Sequence, residues 1–465
     1  MELENFLSNS RRASLFLPAH GQGKGLPNGL KKILKNRPGI WDIPELPEFG
    51  GPLIKKGAVA TSQKDSAMAM GVDRCWYGVN GATGLLQAGL LAMCKPKQFV
   101  LLPRNSHRSL IQACALGDLN PVLYDLPFSC SRGHYLPPDE QWLKEIIATI
   151  NNKGIRLSAA VLVNPTYQGY SSSLKALISL LHQIDLPVLV DEAHGTYFSS
   201  ISDRNIPQSA IACGADLVVN SLHKSANGLV QTAVLWLKEG RVDTDLLEKS
   251  LGLLQTTSPS SLLIASCEAT LRELKSDIWN KNLLLLIEQS REIASELIEN
   301  GVPLIKNQDP LKLVIHTSKV GITGFEVDAS FISRGVYAEL PEPGCITLCL
   351  GLSSHKGISK LLQKNWKKVL NEFRERETLP PFCKPPLDLL MIPKNSVCES
   401  WRANSKPVPL GESHGEISAE LVCPYPPGIP LLIPGEVLDE RRIDWLVKQR
   451  ILWPEHIPSE IFVVS

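Results

Sequence analysis

Three short, nearly unbroken apolar runs, each ending at polar residues, constrain the fold of this 465-residue chain more than any other feature. Ala159–Val163 leads into Asn164–Pro165, Pro187–Val190 into Asp191, and Asp216–Val219 into Asn220–Ser221. Apolar runs without polar alternation are what strands buried on both faces look like. Helical stretches such as Ser173–Gln183 separate them. That alternation implies a mainly parallel α/β sheet with helices on both sides. In such sheets ligands sit at the carboxyl ends of the strands, and Asn164, Asp191 and Ser221 all fall where a strand should end.

The same pattern continues on either side. Leu85–Met93 reads as a helix, Gln98–Leu102 as a strand stopped by Pro103, and Gln231–Leu237 as a further apolar run. Long helices are expected from Pro259 to about Asn300. Leu304–Ile315, a helix near Val327–Arg334, Val336–Leu340, Ile346–Leu350 and a helix over Ile358–Phe373 suggest a second, smaller α/β domain. A Pro-rich linker (TLPPFCKPPLDLL) follows, and then a tail with a helix around Asp439–Gln449. The Gly- and Pro-rich beginning (LPAHGQGKGLPNG, WDIPELPEFGGP) reads as an extended arm with short helical turns rather than a packed domain. The expected division is an arm over 1–60, a large domain over 61–300, a small α/β domain over 301–375, and a linker with a C-terminal domain over 376–465.

Lys plus Arg number 48 and Asp plus Glu 47, a balance that gives no reason to expect nucleic acid or an anionic membrane as partner. The 11 cysteines are scattered with no C-x-x-C pair, so no metal site or thioredoxin-like motif is indicated. An odd number of thiols fits a reducing compartment. MELENFLSNSRR lacks the apolar core of a signal peptide, and no run has the length of a membrane span. A cytoplasmic protein is expected.

Four segments carry candidate chemistry. Lys224, in SLHKSANG, lies just past a buried strand, where its amine can face the strand-end crevice; the bland alternative is a solvated loop lysine. Asp191, in VDEAHG, can hold a protonated pyridine nitrogen by charge and hydrogen bond, or simply cap a helix. NGATG, with Thr83 and Gly84, leads straight into a helix whose N-terminal amides suit a phosphate, although most such loops are plain caps. Ser221 and His223 can add phosphate donors. His107, in RNSHRS, offers a flat ring for stacking, and His194 and His223 can carry protons near neutral pH; all three can equally be structural. Their order along the chain is that of a pyridoxal 5'-phosphate (PLP) enzyme of the aspartate aminotransferase fold.

Taken together, these segments resemble the Orn/Lys/Arg decarboxylase family over most of the chain. SLHKSANGLVQTAVLW is similar to the family's cofactor-lysine segment, RNSHRS to its stacking-histidine segment, and NPTYQG and VDEAHG to its next two strand ends. LLQTTSPSSLLIASCEA and PYPPGIPLLIPGE resemble the opening of its domain-linking helix and its C-terminal motif. The resemblance implies the PLP-dependent transferase fold (fold type I): a large domain with a mainly parallel sheet, a small α/β domain and a C-terminal domain. It also implies that Lys224 holds PLP as a Schiff base, Asp191 pairs with the ring nitrogen, and His107 and Ala193 flank the ring. Thr83, Ser221 and His223 would contact the phosphate, and His194 would lie beside ring and substrate.

The implied activity is decarboxylation of arginine, lysine or ornithine in polyamine-type metabolism, with Lys224 or a nearby histidine returning a proton to carbon. A homodimer or higher homo-oligomer, of the short type without an N-terminal wing domain, is implied as well. The chain departs from the pattern at LPAHGQG, at Ser258–Ser261 (SPSS where Ser-Pro-Ser-Tyr is usual) and at Glu268. Glu339, in YAELPEP, matches an acidic position of the small domain. The same lysine and aspartate would also serve an aminotransferase or a side-chain lyase, for which Arg334 is an available carboxylate ligand. A homologue that binds PLP without turnover is the third reading.

Overall fold

The computed structural model describes residues 13–35, 38–200, 206–374, 376–424 and 429–465. Its centre is an eight-stranded sheet. The strands are β1 (Arg74–Gly78), β2 (Phe99–Pro103), β3 (Asn120–Tyr124), β4 (Leu157–Val163), β5 (Val188–Asp191), β6 (Leu217–Ser221), β7 (Ala233–Leu237) and β8 (Leu390–Met391). In space they run β8-β3-β2-β4-β5-β6-β7-β1. From β3 to β6 the neighbours are parallel, whereas β7 is antiparallel to both β6 and β1. β1 therefore points the same way as β6, and Ala233 of β7 lies opposite both Gly78 and Ser221. One edge of the sheet thus collects the carboxyl ends of β1, β2, β4, β5 and β6.

The apolar runs have the cause inferred from the sequence. Val188 and Val190 of β5 and Val218 of β6 pack into one core cluster, while Leu189, Leu217 and Val219 pack into a second on the opposite face. Successive strand residues point to opposite sides, so a sheet covered on both faces needs every residue apolar. Helices α1 (Gly81–Met93) and α2 (Arg108–Gly117) contribute to the second cluster. Leu174–Gln183, Ser261–Leu274 and Asp277–Glu299 lie with the first.

The small α/β unit is a four-stranded antiparallel sheet of Leu304–Ile305, Lys312–Ile315, Ile346–Cys349 and Leu340–Pro341. Helices Gly324–Ile332 and Ile358–Glu372 pack against it, the first started by a Thr323–Glu326 capping box. In the C-terminal part, Ser405–Pro409 pairs with Glu460–Val464, and helix Glu440–Leu452 is capped by Asp439. Of the motif PYPPGIPLLIPGE, residues 425–428 lie outside the described residues.

The beginning of the chain, expected as an extended arm with short helical turns, is bonded to distant elements. Ala13–Ser14 pairs in parallel with Val336–Tyr337, and the backbone of Leu15 and Ala19 bonds to Cys349, Leu352 and His223. Leu15, Ala19 and Leu30 are buried. Gly and Pro density marks turns but does not reveal backbone bonds to distant elements. The SPSS departure also has a structural use: Ser261 Oγ accepts the Ile43 N–H at 3.1 Å and donates to Trp41 O.

Candidate active site

Each strand end at the common sheet edge delivers one side chain or one set of amides to a cavity of about 750 Å3. After β1, Gly81 takes a left-handed φ of 67° and donates its N–H to Gln231 O, and α1 begins. The Asn80 side chain makes no capping bond, so the amides of this 13-residue helix are left open toward the cavity that Ala82 and Thr83 line. Gly84 is not on the wall. It lies one residue deeper, where a Cβ would meet Gln255 Nε2 at 3.1 Å, a buried donor without a partner.

After β2 comes His107, whose Nδ1 accepts the Ser109 N–H at 3.3 Å and bonds Ser109 Oγ at 2.8 Å, capping α2. The ring is fixed by the cap and still lines the cavity. Burial lowers its pKa, against the pull of Asp191. After β4, Asn164 Oδ1 accepts from Ser171 Oγ and Ser172 N–H, holding a loop that brings Tyr167 inward. β5 ends in Asp191, which is 6 % exposed and accepts the Ala193 N–H at 3.1 Å. Ala193 and His194 follow on the cavity wall.

β6 ends in Ser221 and passes into one helical turn, Leu222–Ser225, that carries His223 and Lys224. Ser221 Oγ bonds His223 Nδ1 at 3.2 Å. The return loop is tight, because a Cβ on Gly228 would collide with Thr232 Oγ1. Lys224 Nζ lies 3.2 Å from His194 Nε2 and 5.4 Å from the centre of the Tyr167 ring, which itself packs on His194 at 4.2 Å.

Burial lowers the Lys224 pKa below 10.5, while Asp191 and Glu339 oppose the shift. His194 is pushed well below 6.5 by burial and by the Lys224 charge, so its ring is neutral. Burial also lowers His223 and raises the Tyr167 hydroxyl to about 12. An amine of reduced basicity beside a neutral imidazole is a nucleophile with a proton acceptor at hand.

The sequence-predicted residues Thr83, His107, Asp191, Ala193, His194, Ser221, His223 and Lys224 therefore line one cavity. Arg334 does not: it bonds Ser330 and pairs with Glu372 at 2.9 Å. Sequence reasoning gave no role to Tyr167, although it quoted the NPTYQG segment containing it. It missed His134, Gln168 and Glu342 on the wall, and Leu421, Cys423, Ile429 and Pro430 from the C-terminal part. Gln168 follows the expected strand Ala159–Val163 by five residues, whereas His134 and the C-terminal residues follow no strand of the expected pattern.

The residues present fit PLP. There are open helix amides and two hydroxyls for a phosphate, a buried carboxylate for a ring nitrogen, and a lysine amine within the same volume. That volume lies in the range of small-molecule sites.

Comparison with known proteins agrees. The chain is 28 % identical over 453 residues to the arginine decarboxylase of Bacillus subtilis, covering 93 % of this chain and 89 % of that protein. Its fold matches the constitutive lysine decarboxylase of Escherichia coli with a TM-score of 0.74 at 17 % identity, over 100 % of this chain and 81 % of that one. It matches an aspartate aminotransferase of Thermus thermophilus less closely, with a TM-score of 0.50 at 16 % identity, over 68 % and 90 %. Residues 40–301 match the Orn/Lys/Arg decarboxylase major domain and residues 380–453 the C-terminal domain of the same group. The chain belongs to the Orn/Lys/Arg decarboxylase family.

Proposed function

We propose that the chain is a PLP-dependent decarboxylase that converts arginine, lysine or ornithine to the corresponding amine and CO2. The observation that carries this reading is the Lys224 amine, held at the end of β6 within 3.2 Å of the neutral His194 and in the same cavity as Asp191. Lys224 would hold PLP covalently, Asp191 its ring nitrogen, and His107 and Ala193 its two faces. Thr83, the start of α1, Ser221 and His223 would take its phosphate. When bound, PLP supplies an electron-withdrawing ring that accepts the electron pair left as CO2 departs.

The protein's own share is positioning and proton handling. Decarboxylation replaces a carboxylate by a proton, so one proton must be delivered to carbon. Lys224 Nζ and His194 Nε2 lie 3.2 Å apart, and the lysine amine would carry the proton with the neutral imidazole as its acceptor. Tyr167, Leu421, Ile429 and Pro430 contribute apolar surface to the cavity wall. An aminotransferase reading loses the carboxylate ligand offered by Arg334, which is engaged with Ser330 and Glu372.

A cytoplasmic location is proposed on the free thiols of all 11 cysteines. No helix among the described residues is long and apolar enough to cross a membrane. A homodimer is proposed on the family resemblance. The test is CO2 release from carboxyl-labelled arginine, lysine and ornithine by protein loaded with PLP, wild type against Lys224→Ala. Release from at least one, abolished in the variant, is expected; no release from any of the three refutes the reading.

A further inference from the structure

A second, much smaller cavity of about 20 Å3 also touches Lys224 and His194, and its wall includes Tyr197, Asp309 and Lys312. Asp309 lies in the connection between the small-sheet strands Leu304–Ile305 and Lys312–Ile315, and Lys312 opens the second. They are 1 % and 6 % exposed, and neither lines the main cavity. A lysine this deeply buried normally sits in an ion pair. The hydrogen bond of Lys312 Nζ goes instead to the Thr166 carbonyl, at 3.2 Å. Burial raises the Asp309 pKa, against the pull of the Lys312 charge. Burying an ammonium on a carbonyl rather than in a close ion pair is costly, so packing alone does not account for a lysine at this place.

The connection grips two segments of the large domain. The first is the loop that carries Tyr167. Gln308 and Asp309 donate their N–H groups to Gly169 O at 3.1 and 3.0 Å, Asn307 Nδ2 donates to Gln168 O at 2.7 Å, and Lys312 holds Thr166 O. The approach is close: Gly169 has a φ of 84°, and a Cβ there would meet Asn307 Nδ2 and Asp309 Cβ at 2.9 Å. The second segment is the turn after His194. Tyr197, three residues further on, donates its hydroxyl to Asp309 Oδ1 at 2.6 Å. Tyr167 and His194 are the two rings that pack on each other at 4.2 Å, with Lys224 Nζ 3.2 Å from the imidazole.

We propose that Lys312 and Asp309 are positioning residues for proton handling at Lys224, clasping the Tyr167 loop and the His194 turn so that the imidazole stays at the amine. This rests on the decarboxylase reading for the reaction served, and it goes further by assigning residues that lie off the main cavity. Lys312 also acts by charge. Lys224, His223, His107 and Tyr167 face His194 from the large domain, and Lys312, Asp309 and Cys349 from the small unit. Burial is the largest cause that lowers the imidazole pKa, followed by the charges of Lys224 and Lys312. Removing one positive charge favours the protonated ring, so His194 should titrate at higher pH without Lys312.

The experiment compares the PLP-loaded full chain, carrying ring-labelled histidine for NMR, with Lys312→Met, Lys312→Arg and Tyr197→Phe. The His194 resonance, identified by its loss in His194→Phe, should titrate at higher pH in Lys312→Met and near the wild-type position in Lys312→Arg. In Lys312→Met, kcat should fall by about tenfold or more with KM within about twofold of wild type. The acidic limb of its pH profile should move to higher pH, the PLP absorbance should stay as in wild type, and Lys312→Arg should recover part of the rate. Either an unmoved His194 titration or a kcat within about twofold of wild type in Lys312→Met overturns the proposal. Tyr197→Phe removes the Asp309 grip but no charge, and should lower kcat with KM retained. If Lys312→Met does not fold, this variant decides, and an unchanged kcat overturns the proposal. If wild type releases no CO2, the decarboxylase reading fails alone. The His194 titration then tests the clasp, and its failure to move in Lys312→Met overturns the inference.

Discussion

Glu436 lies between two arginines at the junction of the C-terminal part with the central sheet, and its removal should be among the most damaging single changes in the protein. Arg104, directly after β2, forms a two-pronged pair with it: Nη2 to Oε1 at 2.5 Å and Nη1 to Oε2 at 3.2 Å. Arg442 Nη1 lies 3.3 Å from Oε2, and the Ile433 N–H donates to the same oxygen at 3.0 Å. All three side chains are at most 2 % exposed. Burial alone would raise the carboxyl pKa, but the two guanidinium groups outweigh it and hold Glu436 below 4.5.

After Glu436→Ala, Arg442 keeps Asp439 at 2.5 Å. Arg104 keeps as hydrogen-bond partners the Pro430 carbonyl and the Met391 sulfur, a buried cation that has lost its directly bonded carboxylate and retains only the electrostatic pull of Asp125. Breaking a buried pair in this way costs about 3–5 kcal/mol, and the stranded Arg104 puts this case at the upper end. Urea unfolding should show a lowered midpoint with little change in slope. Adding Arg104→Met should restore part of the loss, since it removes the orphaned charge. A single variant within about 0.5 kcal/mol of wild type would refute the reasoning. Because the folded pKa is depressed, this contribution is present above about 4.5 and lost as pH falls through the folded value.

Other consequences concern the site. Covalent attachment of PLP, trapped with borohydride and located by mass spectrometry, should map to Lys224 and vanish in Lys224→Ala; a label elsewhere would contradict the assignment. The pH dependence of that attachment should report an amine pKa below 10.5, because burial lowers Lys224. Glu339→Gln should move it lower still, since that carboxylate opposes the shift; a rise would mean that the charge acts otherwise. His194→Phe should keep PLP bound but reduce kcat by about 10²-fold or more if the ring handles the proton, and single-turnover CO2 release decides it. Light scattering should give twice the chain mass, and a monomer would remove the proposed dimer.

What the sequence revealed and what it hid follow from one distinction. Lys224, Asp191 and Ser221 were legible because a doubly covered strand must be apolar until it leaves the sheet. The polar residues that end each run therefore mark the active edge, with Asp191 and Ser221 on the cavity wall and Asn164 and Asn220 beneath it in hydrogen bonds. Residues whose position depends on partners far along the chain left no such trace. Val336–Leu340 reads as one strand, yet Val336–Tyr337 pairs with Ala13–Ser14 while Leu340–Pro341 joins the small sheet. Leu304–Ile315 likewise splits, because its polar middle turns out to bond Gly169, with Gln308 and Asp309 donating to its carbonyl.

Gln168 and Glu342 are 174 residues apart, and Arg104 and Glu436 are 332 apart. No local periodicity encodes either pair. The consequence is a division of labour within one cavity. The groups that handle a reaction common to many substrates sit on consecutive strand ends, where the fold itself aligns them. The wall that would select one substrate is assembled from the β4 loop, the small sheet and the C-terminal part. Substitutions at strand ends should therefore abolish turnover of every substrate.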